Sequence, residues 1–420
     1  MRIALILLFT GLFLGSMNAQ NKMVSEFQIQ GNKRLKTVFI KNISDVKAGV
    51  VLDSALIAKD IKRLKFLPAV SHAYFEVVKE TESMYKVVYH IIEHFTLIPS
   101  LNVYTTNDDE FAYRIGLHEF NLLGRNIGFG GFYQKDIYSS YAVNLRAPYL
   151  FSNTFGLAVN YQDLTTLEPV FFDGSTADYR YNNESLEVLG LYTVNLKNRI
   201  EGGINYFMED YKYVSGATSD QVPQALNVHK WLLKLIYDYN GLDYYYHSIS
   251  GFRSLFTFQY VTSTNDMLPD FFIAWNDLFY FKRLGKHGNW ANRLRMGLSS
   301  NDKTPFAPFS VDNNVNIRGV GNTIDRGTGS IVFNTEYRHT LYEKGWFVMQ
   351  GNAFIDSGTW RNPGGKLSDF TDPDNIKVYS GLGLRFIHKK IYNAIFRIDY
   401  GHGLTKGATN GLVFGIGQYF

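Results

Sequence analysis

Phe155-Gly-Leu-Ala-Val-Asn-Tyr-Gln162 alternates residue by residue, with Phe155, Leu157, Val159 and Tyr161 on one side and Gly156, Ala158, Asn160 and Gln162 on the other. Successive side chains of an extended strand point to opposite faces, so the stretch reads as a strand with one greasy, aromatic face and one small or polar face. Its neighbour in sequence repeats the pattern, with Tyr141, Val143 and Leu145 set against Ala142, Asn144 and Arg146. Trp231, Leu233, Leu235 and Tyr237 alternate less cleanly with Leu232, Lys234, Ile236 and Asp238. In a soluble sandwich the apolar face would meet a second sheet. Here the opposite face carries too many charges for the outer surface of a small protein.

From Thr96 onward such segments recur, near 97–104, 111–120, 126–135, 139–148, 154–162, 184–193, 198–208, 229–239, 247–260, 271–282, 289–299, 330–340, 346–357, 377–387, 393–401 and 411–420. Sixteen segments of roughly ten residues make an even number, as a closed antiparallel barrel of the outer-membrane type requires. The connections alternate in length: 163–183, 209–228, 300–329 and 358–376 are long, whereas 121–125, 194–197, 341–345 and 388–392 are short. Short periplasmic turns and longer outer loops account for that asymmetry, and place the N-terminal region in the periplasm. The final segment alternates Leu412, Phe414 and Ile416 and finishes on Phe420, an aromatic ending of the kind that marks outer-membrane barrels.

Composition agrees. The 420 residues include 37 Gly, 33 Phe and 29 Tyr against 10 Pro, a profile of strands and turns. There is no cysteine, which removes disulfides and thiolate metal sites, and the formal net charge of +4 gives no reason to expect a nucleic-acid partner. Met1-Arg2, the apolar run 3–14 and the small-residue exit to Ala19 have the form of a secretory signal peptide, with cleavage expected after Ala19. That run is too short for a membrane-spanning helix, which needs about 20 residues. Membrane residence must then be as a barrel.

Residues 20–95 read differently. A strand-like run from Val24 to Gln30 ends at the turn signal Gly31-Asn32. Val38 to Leu67 carries apolar residues at helical spacing, with Ile57, Ile61, Leu64 and Leu67 on one face and Lys59, Asp60, Lys62 and Arg63 elsewhere. Ala73–Lys79 and Tyr85–Glu93 alternate again, giving the order β-α-α-β-β. This order, with Gly31-Asn32, Gly49, the Leu64–Leu67 helix end and Glu93, resembles a single POTRA domain.

Within the long loop 300–329 stands Ile317-Arg318-Gly319-Val320, followed by Glu336 on the twelfth segment and Phe354, Asp356 and Gly358 on the thirteenth. Parity places Glu336 with Asn334 and Arg338, opposite Ile331, Phe333 and Tyr337. It places Asp356 with Gln350 and Asn352, opposite Met349 and Ile355. Both acids are therefore expected to face the lumen, where a permanently charged guanidinium can fork to carboxylate oxygens. Gly319 permits the tight turn that would aim Arg318.

With these residues, and Asn121-Leu122-Leu123-Gly124 in the first short turn, nearly all of the mature chain resembles the Omp85 superfamily. The resemblance implies one periplasmic POTRA domain (20–95) and an outer-membrane barrel (96–420), with loop 300–329 folded into the lumen and latched through Arg318, Gly319, Glu336 and Asp356, supported by Phe354 and Gly358. It departs from the usual pattern at Val320, where an aromatic residue is the rule. It implies insertion or translocation of other proteins through a lateral seam between the first and last strands, without catalysis or cofactor. Pro99 removes a ladder donor from the first strand, while Gly415 and Gly417, near Phe420, leave little to pack in the last. Implied partners are outer-membrane lipid, extended client proteins at the POTRA edge and the seam, and periplasmic or lipoprotein accessory subunits. Secretion of one soluble partner and a non-translocating accessory barrel are the alternatives. No enzyme signature is legible: Gly128, Gly130, Gly131, Gly381 and Gly383 sit at strand spacing rather than in a nucleotide loop, and the ten histidines show no metal-ligand pairing.

Overall fold

The computed structural model describes residues 22–105, 111–172, 175–218, 223–264, 270–301, 308–311, 316–320 and 325–420; the expected signal segment lies outside them. The N-terminal part is a small α+β unit of β1 (Met23–Gln30), α1 (Thr37–Ile43), α2 (Ser54–Lys65), β2 (Val70–Lys79) and β3 (Met84–Glu93), with sheet order β1-β3-β2. The helices form because Ile57, Ile61 and Leu64 recur on one face of α2 and bury against Val24, Val87 and Tyr89, each such side chain contributing about 1.5–3 kcal/mol. Asp53 caps α2 by accepting from the Ala55 amide at 2.8 Å.

Asp60 departs from its expected place away from the apolar face. It is buried, accepting from the amides of Asp45 and Val46, from the Tyr89 hydroxyl and from Arg63. Helical periodicity could not show this, because the donors come from a loop and a distant strand. Glu93 likewise accepts from the amides of Lys33, Arg34 and Leu35, fixing the turn after β1.

The remainder is an antiparallel barrel of sixteen wall strands. These are β4 (Leu97–Thr105), β5 (Phe111–Leu122), β6 (Ile127–Lys135), β7 (Ser139–Ala147), β8 (Phe155–Phe172), β9 (Ser175–Thr193), β10 (Asn198–Gly216) and β11 (Ala225–Asn240), then, after the short β12 (Asp243–Tyr245), β13 (Ser248–Ser263), β14 (Phe271–Leu284) and β15 (Gly288–Ser299). The wall resumes after a small hairpin, β16 (Phe309–Val311) and β17 (Asp325–Gly327), with β18 (Gly329–Lys344), β19 (Phe347–Arg361), β20 (Lys377–His388), β21 (Ile395–Gly403) and β22 (Asn410–Ile416). Fifteen junctions run as antiparallel ladders, and the sixteenth sets β22 beside β4.

Alternation sorts the side chains as expected. Leu186, Val188, Trp231, Leu233, Phe333 and Tyr337 are exposed on the outside, whereas Glu187, Lys230, Asn334 and Glu336 are buried within. Two of the connections expected to be long are short. Much of 163–183 and 209–228 is strand, because β8 to β11 run far past the expected ends. Charged residues such as Glu168, Asp178 and Asp210 blur the pattern there. Inward Tyr179, Tyr181 and Tyr211 pack together and hold these extensions.

The final strand is shorter than the expected 411–420. It stops at Ile416, where the seven residues of β22 make it the shortest of the wall strands, and Gly417 turns with a φ of +90°.

The α+β unit sits on the turns at the end of the barrel where the chain enters. Lys36 donates its amide to Gly124 O at 3.0 Å, and the Phe39–Tyr149 and Phe66–Tyr244 ring pairs each lie 5.8 Å apart. Between the unit and the wall lies a cavity of about 1000 Å³, whose lining includes Arg63, His94, Asp238, Tyr244, Lys389 and Gln418.

Candidate lumenal latch and seam

Asn334, Glu336 and Arg338 on β18 alternate inward beside Asn352, Phe354 and Asp356 on β19, with Asn334 opposite Asp356 and Glu336 opposite Phe354 in the ladder. A strand pair thus carries two carboxylates and a ring side by side on one wall. The loop segment 316–320 reaches this wall from within. Arg318 donates from Nε and Nη2 to Asp356 at 2.8 and 2.9 Å, from Nη1 to Glu336 at 2.5 Å, and from its own amide to Asp356 at 3.0 Å. Arg318 and Asp356 are 0 % exposed and Glu336 is 1 % exposed, so the network is fully buried.

The Phe354 ring centroid lies 3.6 Å from the guanidinium carbon, a buried cation–π contact. Asn334 steadies Asp356 at 2.8 Å and also donates to Asn316 O at 2.8 Å.

Gly319 has a φ of +95°, and a Cβ there would meet the Gly401 backbone at 2.8 Å. Only glycine at both positions lets the loop press so closely on β21. Val320 is buried with Ile317, Val332, Trp360 and Tyr379 in one apolar cluster of loop and wall side chains. Gly358 makes room for Ile317, whose Cδ1 would lie 2.9 Å from a Cβ at 358. Thr409, between β21 and β22, donates to Gly319 O or Val320 O at 3.1 and 3.0 Å. The loop therefore grips the wall at β18–β19 and the last hairpin at once.

Several members of this network were not singled out from sequence. Asp399 on β21 lies 3.7 Å from Arg318 and accepts from Arg385 at 2.7 Å, while Arg338 pairs with Glu336 and Arg397 lies 3.3 Å from Asp399. Their inward parity was readable. Their convergence on one point was not, because it depends on barrel curvature and on the loop's path.

At the seam, Phe120 donates its amide to Thr96 O at 3.1 Å, which makes residues 96, 98 and 100 the bonded partners of β5. The backbone groups of 97, 99 and 101 then aim at the β22 side. Pro99 lies inside β4 and removes a donor from the edge that meets β22. Gly415 leaves room for Arg397, whose guanidinium would lie 2.6 Å from a Cβ at 415. Phe420, expected on the seam, lies instead inside the barrel, its ring centroid 5.5 Å from the Arg338 guanidinium and its carbonyl accepting from Arg338 at 3.1 Å. The turn at Gly417 takes it off the strand. At the end of the barrel nearest the α+β unit, the Phe95 amide donates to Lys390 O at 2.8 Å and Phe95 O accepts from the Tyr392 amide at 3.0 Å, tying the start of the barrel to the turn after β20.

No family model matches the chain. Among solved structures it is similar to BamA from Haemophilus ducreyi lacking POTRA domains 1–3, at a TM-score of 0.55 and 14 % identity, over 94 % of this chain and 83 % of that one. It is similar to CdiB from Acinetobacter baumannii at a TM-score of 0.61 and 13 % identity, over 94 % of this chain and 73 % of that one. CdiB from Escherichia coli gives 0.59 and 12 %, over 94 % and 75 %. At these identities the likeness is one of fold.

Proposed function

We propose, from the Omp85-superfamily fold that this chain shares with BamA and CdiB, that it resides in the bacterial outer membrane and assists the insertion of other proteins there by opening laterally between β4 and β22. The observation that carries this reading is the buried Arg318 network, which holds residues 316–320 of the loop against the inner wall and against the last hairpin at once. A wall whose closing strand is short and whose facing edge lacks the Pro99 donor favours use of the side.

The α+β unit would face the periplasm as a POTRA domain. Its sheet ends on β2, where Tyr74, Phe75, Val77 and Val78 are exposed, an edge suited to an extended client segment by strand addition. The latch, Arg318 with Glu336, Asp356, Phe354, Gly319 and Gly358, would hold the loop while the seam works.

Depleting the protein and surveying outer-membrane composition tests the reading. Reduced levels of several barrel proteins are expected. Unchanged levels would refute it, and loss of a single secreted protein would instead favour export of a dedicated partner.

A further inference from the structure

Past Ile416 the chain leaves the sheet. Gly417, with its φ of +90°, donates its amide to Ile395 O at 2.8 Å, and residues 418–420 pass into the lumen. Tyr419 is 7 % exposed there, with its ring centroid 4.4 Å from the Arg318 guanidinium carbon and 4.8 Å from that of Arg397. The in-plane edges of the Arg318 guanidinium are occupied by Asp356 and Glu336. Phe354 and Tyr419 both hold their rings against it, with centroids 3.6 and 4.4 Å from the guanidinium carbon. Arg318, Arg338, Arg385 and Arg397 face three carboxylates, Glu336, Asp356 and Asp399. Tyr419 and Phe420 lay their rings against three of these four cations.

We propose that Tyr419 is the second jaw of the latch: it clamps Arg318 against Phe354 and so ties the last wall strand to the lumenal loop. β22 cannot then leave the seam without uncapping the arginine, and the loop cannot leave Asp356 without releasing the tail. The inference rests on the lateral-seam reading for its purpose, and on the geometry alone for its mechanism. It makes Tyr419 a positioning residue, acting through Arg318 rather than on a client. A client strand that displaced β22 would by the same movement unlock the loop.

The absence of cysteine from the chain gives a clean test with the full-length protein in lipid. Two single-cysteine reporters, Val320→Cys on the loop and Val413→Cys on the inner face of β22, are labelled with a water-soluble maleimide. Tyr419→Ala is expected to raise labelling at both sites together by about thirtyfold, the effect of losing a desolvated cation–π contact. Tyr419→Phe keeps the ring and is expected to leave both rates within about twofold of the parent, whereas Tyr419→Leu, which keeps bulk without the π face, behaves as alanine. Arg318→Ala should raise labelling at 413, although the substitution is on the other partner. A rise at 413 with no change at 320 in Tyr419→Ala, or leucine behaving as phenylalanine, would overturn the proposal. Because labelling involves no client, a failed depletion survey leaves this result standing, and the reverse also holds.

Discussion

Replacing Arg318 by alanine removes the fork to Asp356, the bond to Glu336 and two ring contacts in one step. The acids do not lose equally. Glu336 keeps Arg338 and Arg385, whereas Asp356 loses both forked bonds and keeps Asn334 and the amide of residue 318. Breaking a buried pair from one side costs about 3–5 kcal/mol. The low end applies, since Asp356 keeps its hydrogen bonds from Asn334 and from the residue 318 amide, so the docked loop should lose about 3 kcal/mol, roughly a hundredfold in its equilibrium. The barrel itself should persist, because its ladders do not involve the loop. Limited proteolysis of the folded protein measures the effect. When loop opening is fast relative to cleavage, the cutting rate within 300–329 follows the open population and should rise by roughly that factor. Asp356→Ala should act in the same direction, and the double substitution should cost much less than the sum of the two, because neither charge is left unpaired. A digest of 300–329 within about twofold of the parent, on a protein still folded, would refute the assignment of Arg318 as the tether.

Other consequences can be checked independently. Gly401→Ala puts a methyl group against the Arg318 carbonyl and should undock the loop as Arg318→Ala does, with the same protease signature while the acids remain. Asp60→Ala removes the acceptor for two loop amides and the Tyr89 hydroxyl, and should destabilise the α+β unit by about 3 kcal/mol, seen as faster tryptic cutting between Lys41 and Lys65 with the barrel unaffected. His94, at the joint with the barrel, has its pKa lowered by burial and accordingly favours the neutral form in the folded state. Its contribution is fully present above the unfolded value of about 6.5 and is lost as pH falls from there through the folded value. Acidification to pH 5 should therefore loosen the joint, raising exchange of the Phe95 and Tyr392 amides, and His94→Phe should remove that pH dependence.

The period-two signal in segments such as 155–162 was strong enough to carry the strand count and the inside and outside faces, and helical spacing over Val38–Leu67 marked the α+β unit before the barrel, because each depends only on neighbours in sequence. Inward parity also placed Glu336 and Asp356 on the side where the structure has them. Where charges interrupted the alternation, at 163–183 and 209–228, strands passed for loops, although packing among Tyr179, Tyr181 and Tyr211 holds them extended.

Sequence by itself determined a sixteen-stranded barrel with one long arginine-bearing loop, since alternation and spacing are local properties of the chain. Only the tertiary structure decided that Arg318 meets Asp356, Glu336 and Tyr419 at one point, and that Phe420 lies in the lumen instead of on the seam. Those contacts join residues of β18, β19, the loop and the tail across a curved interior. Their proximity follows from how the wall closes and from the positive φ at Gly417, which neither periodicity nor composition encodes.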